Sequence, residues 1–193
     1  MRRIGVFCGS SDGSEPIYRE AGRRLGRLLA EEGLAVVYGG GRVGVMGAVA
    51  EGALAAQGEV WGVIPEVLQI KERAHPGLTE LRRVKTMHER KALMAELSDA
   101  FVALPGGMGT LDEFCEIVTW AQLGLHDKPC GLLDVGGYFA SFVAFLDHAT
   151  AQGFIGPDQR ARIQVDADPE RLLAKLRAFR GAPGQRWIGP EDA

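Results

Sequence analysis

Cysteine and lysine are scarce in this chain, a basic excess is missing, and no apolar run is long. The three cysteines, Cys8, Cys115 and Cys130, are odd in number and lack CxxC spacing, which leaves neither a disulfide framework nor a zinc site. They read as small core residues in a reducing cytosol. With 22 basic against 25 acidic residues and a net charge of -3, the chain lacks the positive surface that nucleic acid or an anionic membrane would need. No stretch approaches the roughly 18 apolar residues of a membrane span. The run "IGVFC" after the basic start "MRR" is also shorter than the ~7 to 15 residues of a signal-peptide core. These absences point to a cytoplasmic protein whose partner is small.

What is present suits one domain. A chain of 193 residues, 46% hydrophobic, can bury a substantial core but cannot hold a second domain of useful size. Residues 1–180 read as a single nucleotide-binding α/β domain. Residues 181–193, rich in glycine and proline, read as a tail that Trp187 pins to the body. Short β-branched runs at 4–8, 34–38, 60–64, 81–86, 100–104, 130–134 and 162–165 alternate with longer helical patterns. Several lack polar alternation, as strands buried on both faces do. The expected fold is a Rossmann-like three-layer α/β/α sandwich around a mostly parallel sheet.

Local signals mark the helix limits. Ser14 can cap a helix whose inward stripe is Tyr18, Leu25, Leu28 and Leu29 and which ends at Gly33. Thr86 with Glu89, and Thr110 with Glu113, have capping-box spacing, which predicts helices starting near 87 and 111.

Two glycine-rich loops follow strands. "YGGGRVGVMG" (38–47) sets Gly39, Gly41 and Gly44 in GxGxxG, which would aim backbone N–H groups and a helix N-terminus at a phosphate. A nicotinamide dehydrogenase is disfavoured, since the chain has no room for a substrate domain. "LPGGMGTLDE" (104–113) carries Gly106, Gly107 and Gly109, more glycine than a turn demands. Two such loops at the carboxyl ends of strands would line one crevice. Glu113 fits two roles, the acidic partner of a cap or a catalytic carboxylate, and a first-turn site favours its charged form. Glu116 shares its face one turn on and reads as a structural acid.

In "TMHERKALMAEL", Arg90 falls on the apolar stripe of Met87, Met94 and Leu97, near a helix N-terminus where a cation is disfavoured. An inward arginine in that place calls for an anion, either a ligand or Glu113. His88 reads as packing or surface.

Together "YGGGRVGVMG", "MHERKALM" and "LPGGMGTLDEF" resemble the Lonely Guy family of nucleoside 5'-monophosphate phosphoribohydrolases, whose members carry YGGGxxGxMG, MHxRK and PGGxGTxxE. The likeness runs from about Ile4 to Phe154. It implies a Rossmann-like fold, a homodimer or higher homo-oligomer, and no cofactor or metal. It also implies hydrolysis of a cytokinin nucleotide or AMP to the free base and ribose 5-phosphate. By the same resemblance, Arg90 and Glu113 are catalytic. Gly107, Met108, Gly109 and Thr110 match the loop that holds the phosphate, Lys91 follows the catalytic arginine, Thr119 matches a binding threonine, and Glu72 falls where the family has a substrate-contacting acid. Gly106 joins the substrate-binding set, as do Gly40 and Gly41 of the first loop, which reads as the opposite wall. Around Glu72, "KERAHPGLTELRRVK" departs from plant relatives, which bears on base specificity.

The rival class is a non-catalytic nucleotide or pterin-cofactor binding protein that keeps the PGG loop. The presence of both Arg90 and Glu113 favours the enzyme. A lysine decarboxylase label, which members often carry, fits poorly: pyridoxal phosphate chemistry needs a Schiff-base lysine in a larger framework, and this chain has five lysines.

Overall fold

Each of the seven apolar runs forms a strand within two residues of its expected limits: β1 (Arg3–Phe7), β2 (Ala35–Tyr38), β3 (Val60–Pro65), β4 (Glu80–Val84), β5 (Ala100–Ala103), β6 (Cys130–Leu133) and β7 (Ile163–Asp166). The structure is a computed structural model that describes residues 1–68 and 73–181. Between the strands run α1 (Pro16–Glu31), α2 (Gly44–Ala55), α3 (Met87–Leu97), α4 (Met108–Leu123), α5 (Ala140–Ala151), α6 (Pro157–Ala161) and α7 (Pro169–Ala178). The strands make one sheet in the order β4-β3-β2-β1-β5-β6-β7, and every pairing is parallel.

The two-residue period of each strand sends alternate side chains into two cores. Ile4, Val6, Val36, Tyr38, Ala100 and Val102 meet α1, α2 and α7 through Leu25, Val49 and Leu172. Phe7, Val37, Val63, Phe101 and Ala103 point the other way and meet α3, α4 and α5 through Met94, Phe114 and Leu146. The result is the expected three-layer sandwich, with its sheet parallel throughout. Among the described residues no helix is long and apolar enough to cross a membrane.

Three local expectations are corrected. Helix α1 is not capped by Ser14: its N-cap is Glu15, which makes no side-chain cap bond, and Pro16 opens the first turn, where its missing N–H costs nothing. Helix α4 begins at Met108 with Gly107 as N-cap, three residues before the expected start. Thr110 therefore lies inside the helix, and Glu113 stands on the second turn, beyond the first-turn field that was expected to favour its charge. Cys8 and Cys130 are buried, but Cys115 is exposed on α4; none of the three is in a disulfide. By contrast α3 starts as its spacing predicts, with Thr86 Oγ1 accepting the Glu89 N–H at 3.1 Å. Glu89 reaches back to the Lys85 N–H at 2.7 Å, one residue before the cap.

Candidate active site

The strand order reverses between β1 and β5, and ligands of open α/β sheets bind outside the carboxyl ends of strands at such a reversal. The loops leaving these two neighbours, residues 8–13 and 104–107, are tied by the Gly9 N–H donating to the Pro105 carbonyl at 3.1 Å. Both line a cleft of about 440 Å³, a size suited to a small ligand. No motif marks "CGSSDG" (8–13) in the sequence; the signal it carries is its place after the first strand, beside the point of reversal.

Of the second glycine loop, Gly106, Gly107, Gly109 and Thr110 line the cleft, while the Met108 side chain is 81% exposed. Gly106 is there for packing, since a Cβ would lie 2.6 Å from the Gly9 nitrogen. Gly107 and Gly109 are different. Neither has positive φ, and a Cβ on either would meet nothing within 4 Å. Neither backbone conformation nor packing asks for glycine at these two positions. The Thr110 N–H is taken by the Gly107 carbonyl at 3.1 Å; what glycine supplies ahead of it is bare backbone at the start of α4, where the macrodipole is positive.

Arg90, from α3, is 4% exposed, and its Nη2 donates to the Gly39 carbonyl at 3.2 Å. Its Nε lies 4.0 Å from Glu113 Oε1 of α4, whose side chain is 11% exposed. Both residues line the cleft. The stripe expected beside Arg90 is only partly inward: Met94 is buried and Leu97 half-buried, but Met87 is exposed at the cleft. His88 is on the surface. Lys91 is not in the cleft lining and reaches Asp112, at the cleft edge, at 3.2 Å and Glu116 at 2.9 Å. Burial works against its charge, but the hydrogen bonds and charges of Glu116 and Asp112 outweigh it and raise its pKa.

The first glycine loop has a different task from the one its GxGxxG suggests. The Val45 and Met46 N–H groups at the start of α2 donate to the Ser11 and Gly9 carbonyls at 3.3 and 3.1 Å, so this helix end is spent on backbone and does not present those donors to a ligand. Gly40 packs toward Ile64, and Gly41 bridges to Ala74 and accepts from the Tyr38 hydroxyl at 3.0 Å; neither lines the cleft. Gly39 instead makes room for Arg90, because a Cβ there would fall 1.9 Å from Nη2.

Thr119 bonds the Cys115 carbonyl at 2.7 Å and also stands outside the cleft. Glu72, Trp187 and residues 182–193 of the expected tail fall outside the described residues. The cleft further includes Tyr18, from the inward stripe of α1, and Tyr138, for which the sequence offers no periodic or motif signal.

A family model described as "Possible lysine decarboxylase" matches residues 46–176. A cytokinin riboside 5'-monophosphate phosphoribohydrolase of Rhodococcoides fascians is 49% identical over 178 residues, 92% of this chain and 90% of the relative. One from Arabidopsis thaliana is 47% identical over 179 residues, 93% of this chain and 83% of the relative. The chain belongs to this phosphoribohydrolase family.

Among solved structures, the molybdenum cofactor binding protein of Rippkaea orientalis matches with a TM-score of 0.71 at 21% identity, over 92% of this chain and 96% of that one. The molybdenum cofactor carrier protein of Chlamydomonas reinhardtii matches with a TM-score of 0.70 at 21% identity, over 91% and 96%. At that identity the likeness speaks for the fold alone. Membership of the phosphoribohydrolase family also agrees with where the amines lie, since no described lysine lines the cleft: Lys91 is held by Asp112 and Glu116, and Lys128 donates to the Ala95 carbonyl at 2.7 Å.

Proposed function

We propose that this protein is a hydrolase that cleaves the N-glycosidic bond of a purine nucleoside 5'-monophosphate, a cytokinin nucleotide or AMP, to the free base and ribose 5-phosphate. One observation carries the reading. The unhindered glycine backbone at the start of α4 and the buried Arg90–Glu113 pair share one cleft. The activity for which relatives at 49% and 47% identity are named supports it.

In this reading Gly107, Gly109 and Thr110 hold the phosphate, which fixes the sugar over Glu113. Arg90 adds positive charge from below. The Glu113 carboxylate orients a water toward C1' and takes its proton as the water oxygen bonds to that carbon. The electron pair of the C1'–N bond leaves with the base, which takes up a proton. Positive charge developing on the ribose is stabilised by the same carboxylate. Lys91 acts through its neighbours, tying α3 to α4. The reading also includes a cytoplasmic location and a homodimer or larger homo-oligomer with the apolar helix α4 at its interface.

Incubation with a panel of nucleoside 5'-monophosphates and chromatographic detection of free base tests the activity. Glu113→Gln should fold normally and release base about 10² to 10⁴ times more slowly, the usual range for a lost acid–base group. Near-normal turnover would remove Glu113 from the chemistry. Tight nucleotide binding with no base released by the wild type would favour the non-catalytic binding protein.

A further inference from the structure

The hydroxyl of Tyr138 donates to the Gly106 carbonyl at 2.7 Å, from the residue that follows a 3-10 turn, Val135–Gly137, that no motif marks. The ring is held independently of that bond. It stands edge-on to Tyr18 and to Phe139, with centroids 5.7 and 5.1 Å away, and the Tyr138 N–H bonds the Val135 carbonyl at 3.1 Å. Tyr18, Tyr138, Gly106 and Gly107 all line the cleft.

The peptide between Gly106 and Gly107 is planar and trans, so its C=O and N–H point in opposite directions. Flanked by two residues without a Cβ, it is also the kind of peptide that rotates most cheaply about its neighbouring bonds. A half-turn would exchange donor for acceptor and bring a partial negative charge toward an anion in the cleft. Gly107 meets no packing that would resist such a turn. Packing of Gly106 against Gly9 and Thr110 holds its Cα but does not choose the direction of its carbonyl.

We propose that Tyr138 is a positioning residue. By holding the Gly106 carbonyl it locks this peptide in the orientation that offers the Gly107 N–H to the substrate's phosphate. The proposal rests on the phosphate-loop reading above. It places the tuning of phosphate affinity on a side chain from a different layer of the site, remote in sequence from the glycine motif.

The test is Tyr138→Phe, which keeps the ring contacts and removes only the hydroxyl. Ribose 5-phosphate binding is measured by calorimetry and by the shift of the Gly107 amide resonance, beside KM and kcat for the best nucleotide. Ribose 5-phosphate affinity should fall about tenfold, the equivalent of one hydrogen bond. KM should rise by the same factor with kcat changed less than about twofold. Tm should move by less than about 2 °C. Equal ribose 5-phosphate affinity in the two proteins, or a loss confined to kcat, would overturn the role of Tyr138. If the wild-type Gly107 amide does not respond to ribose 5-phosphate at all, the phosphate-loop reading itself fails, whatever Tyr138 does.

Discussion

The two glycine-rich loops look alike on paper and differ in what demands their glycines. In residues 39–47 the demand is internal. Gly44 has φ +64 and would place a Cβ 2.3 Å from the Ser10 carbonyl carbon, and Gly47 would place one 2.2 Å from the Arg42 oxygen. In residues 106–109, Gly107 and Gly109 answer to nothing in the chain itself. A glycine required by its own fold is structural; a glycine with empty space around it leaves room for something that arrives. The first loop seats a cation, Arg90; the second leaves its glycine backbone uncovered at the start of α4. The GxGxxG spacing did not separate these cases, because spacing records where Cβ atoms are missing and not what fills the space.

Substitution can break this comparison. The largest effect is expected at Gly44→Ala, where positive φ and backbone overlap act together. Destabilisation of about 3 kcal/mol or more, a fall in Tm of about 6 to 12 °C for a chain of this size, is the expected result in thermal unfolding. An unchanged Tm would mean that the first loop is not built around its glycines.

Gly109→Ala should do the opposite. Inside α4, with open space around it, alanine should stabilise the helix by about 0.5 to 1 kcal/mol. The added methyl should still raise KM for the nucleotide about tenfold by keeping the phosphate off the backbone. Loss of stability together with retained activity would remove the contrast between the loops.

A smaller effect concerns the far end of α4. His126 Nε2 meets the Ile117 carbonyl at 2.9 Å, its Nδ1 accepts the Lys128 N–H at 3.1 Å, and burial lowers its pKa from 6.5 to about 4. The folded state thus favours neutral imidazole. Its contribution to stability is fully present above about pH 6.5 and is lost as pH falls toward 4. Thermal unfolding across that window should show a steeper acid loss in the wild type than in His126→Asn. Matching slopes would show that this end of the helix does not titrate as described.

The sheet was legible because strands buried on both faces must be written as unbroken apolar runs, and each run became a strand. The start of α3 was legible because Thr86 forms its cap. The start of α4 was misjudged by three residues because Thr110 and Glu113 imitate a capping box, while the true cap, Gly107, has no side chain to announce it. Arg90 could be singled out from its inward position and Glu113 from the glycine turn before it. Their approach to 4.0 Å depends on two helices packed on one face of the sheet, which no local pattern encodes. The wall formed by residues 8–13 follows from strand order, a property of the assembled sheet. The stripe of α1 turns Tyr18 inward without naming the cleft it meets, and Tyr138 reaches the cleft by tertiary packing alone.

Lys91 gives the short word "ERK" a second meaning. Its ammonium bridges α3 to two carboxylates of α4, and those carboxylates flank Glu113 in the helix just as Lys91 adjoins Arg90. The gap between Arg90 and Glu113 is therefore gauged by the next residue along, as a jig holds two workpieces. One helix cannot slide past the other without breaking the Lys91–Glu116 pair, whose side chains are 11% and 26% exposed and so less screened by salt than a surface pair. The machinery carries its own caliper, set one residue away from the surfaces it measures.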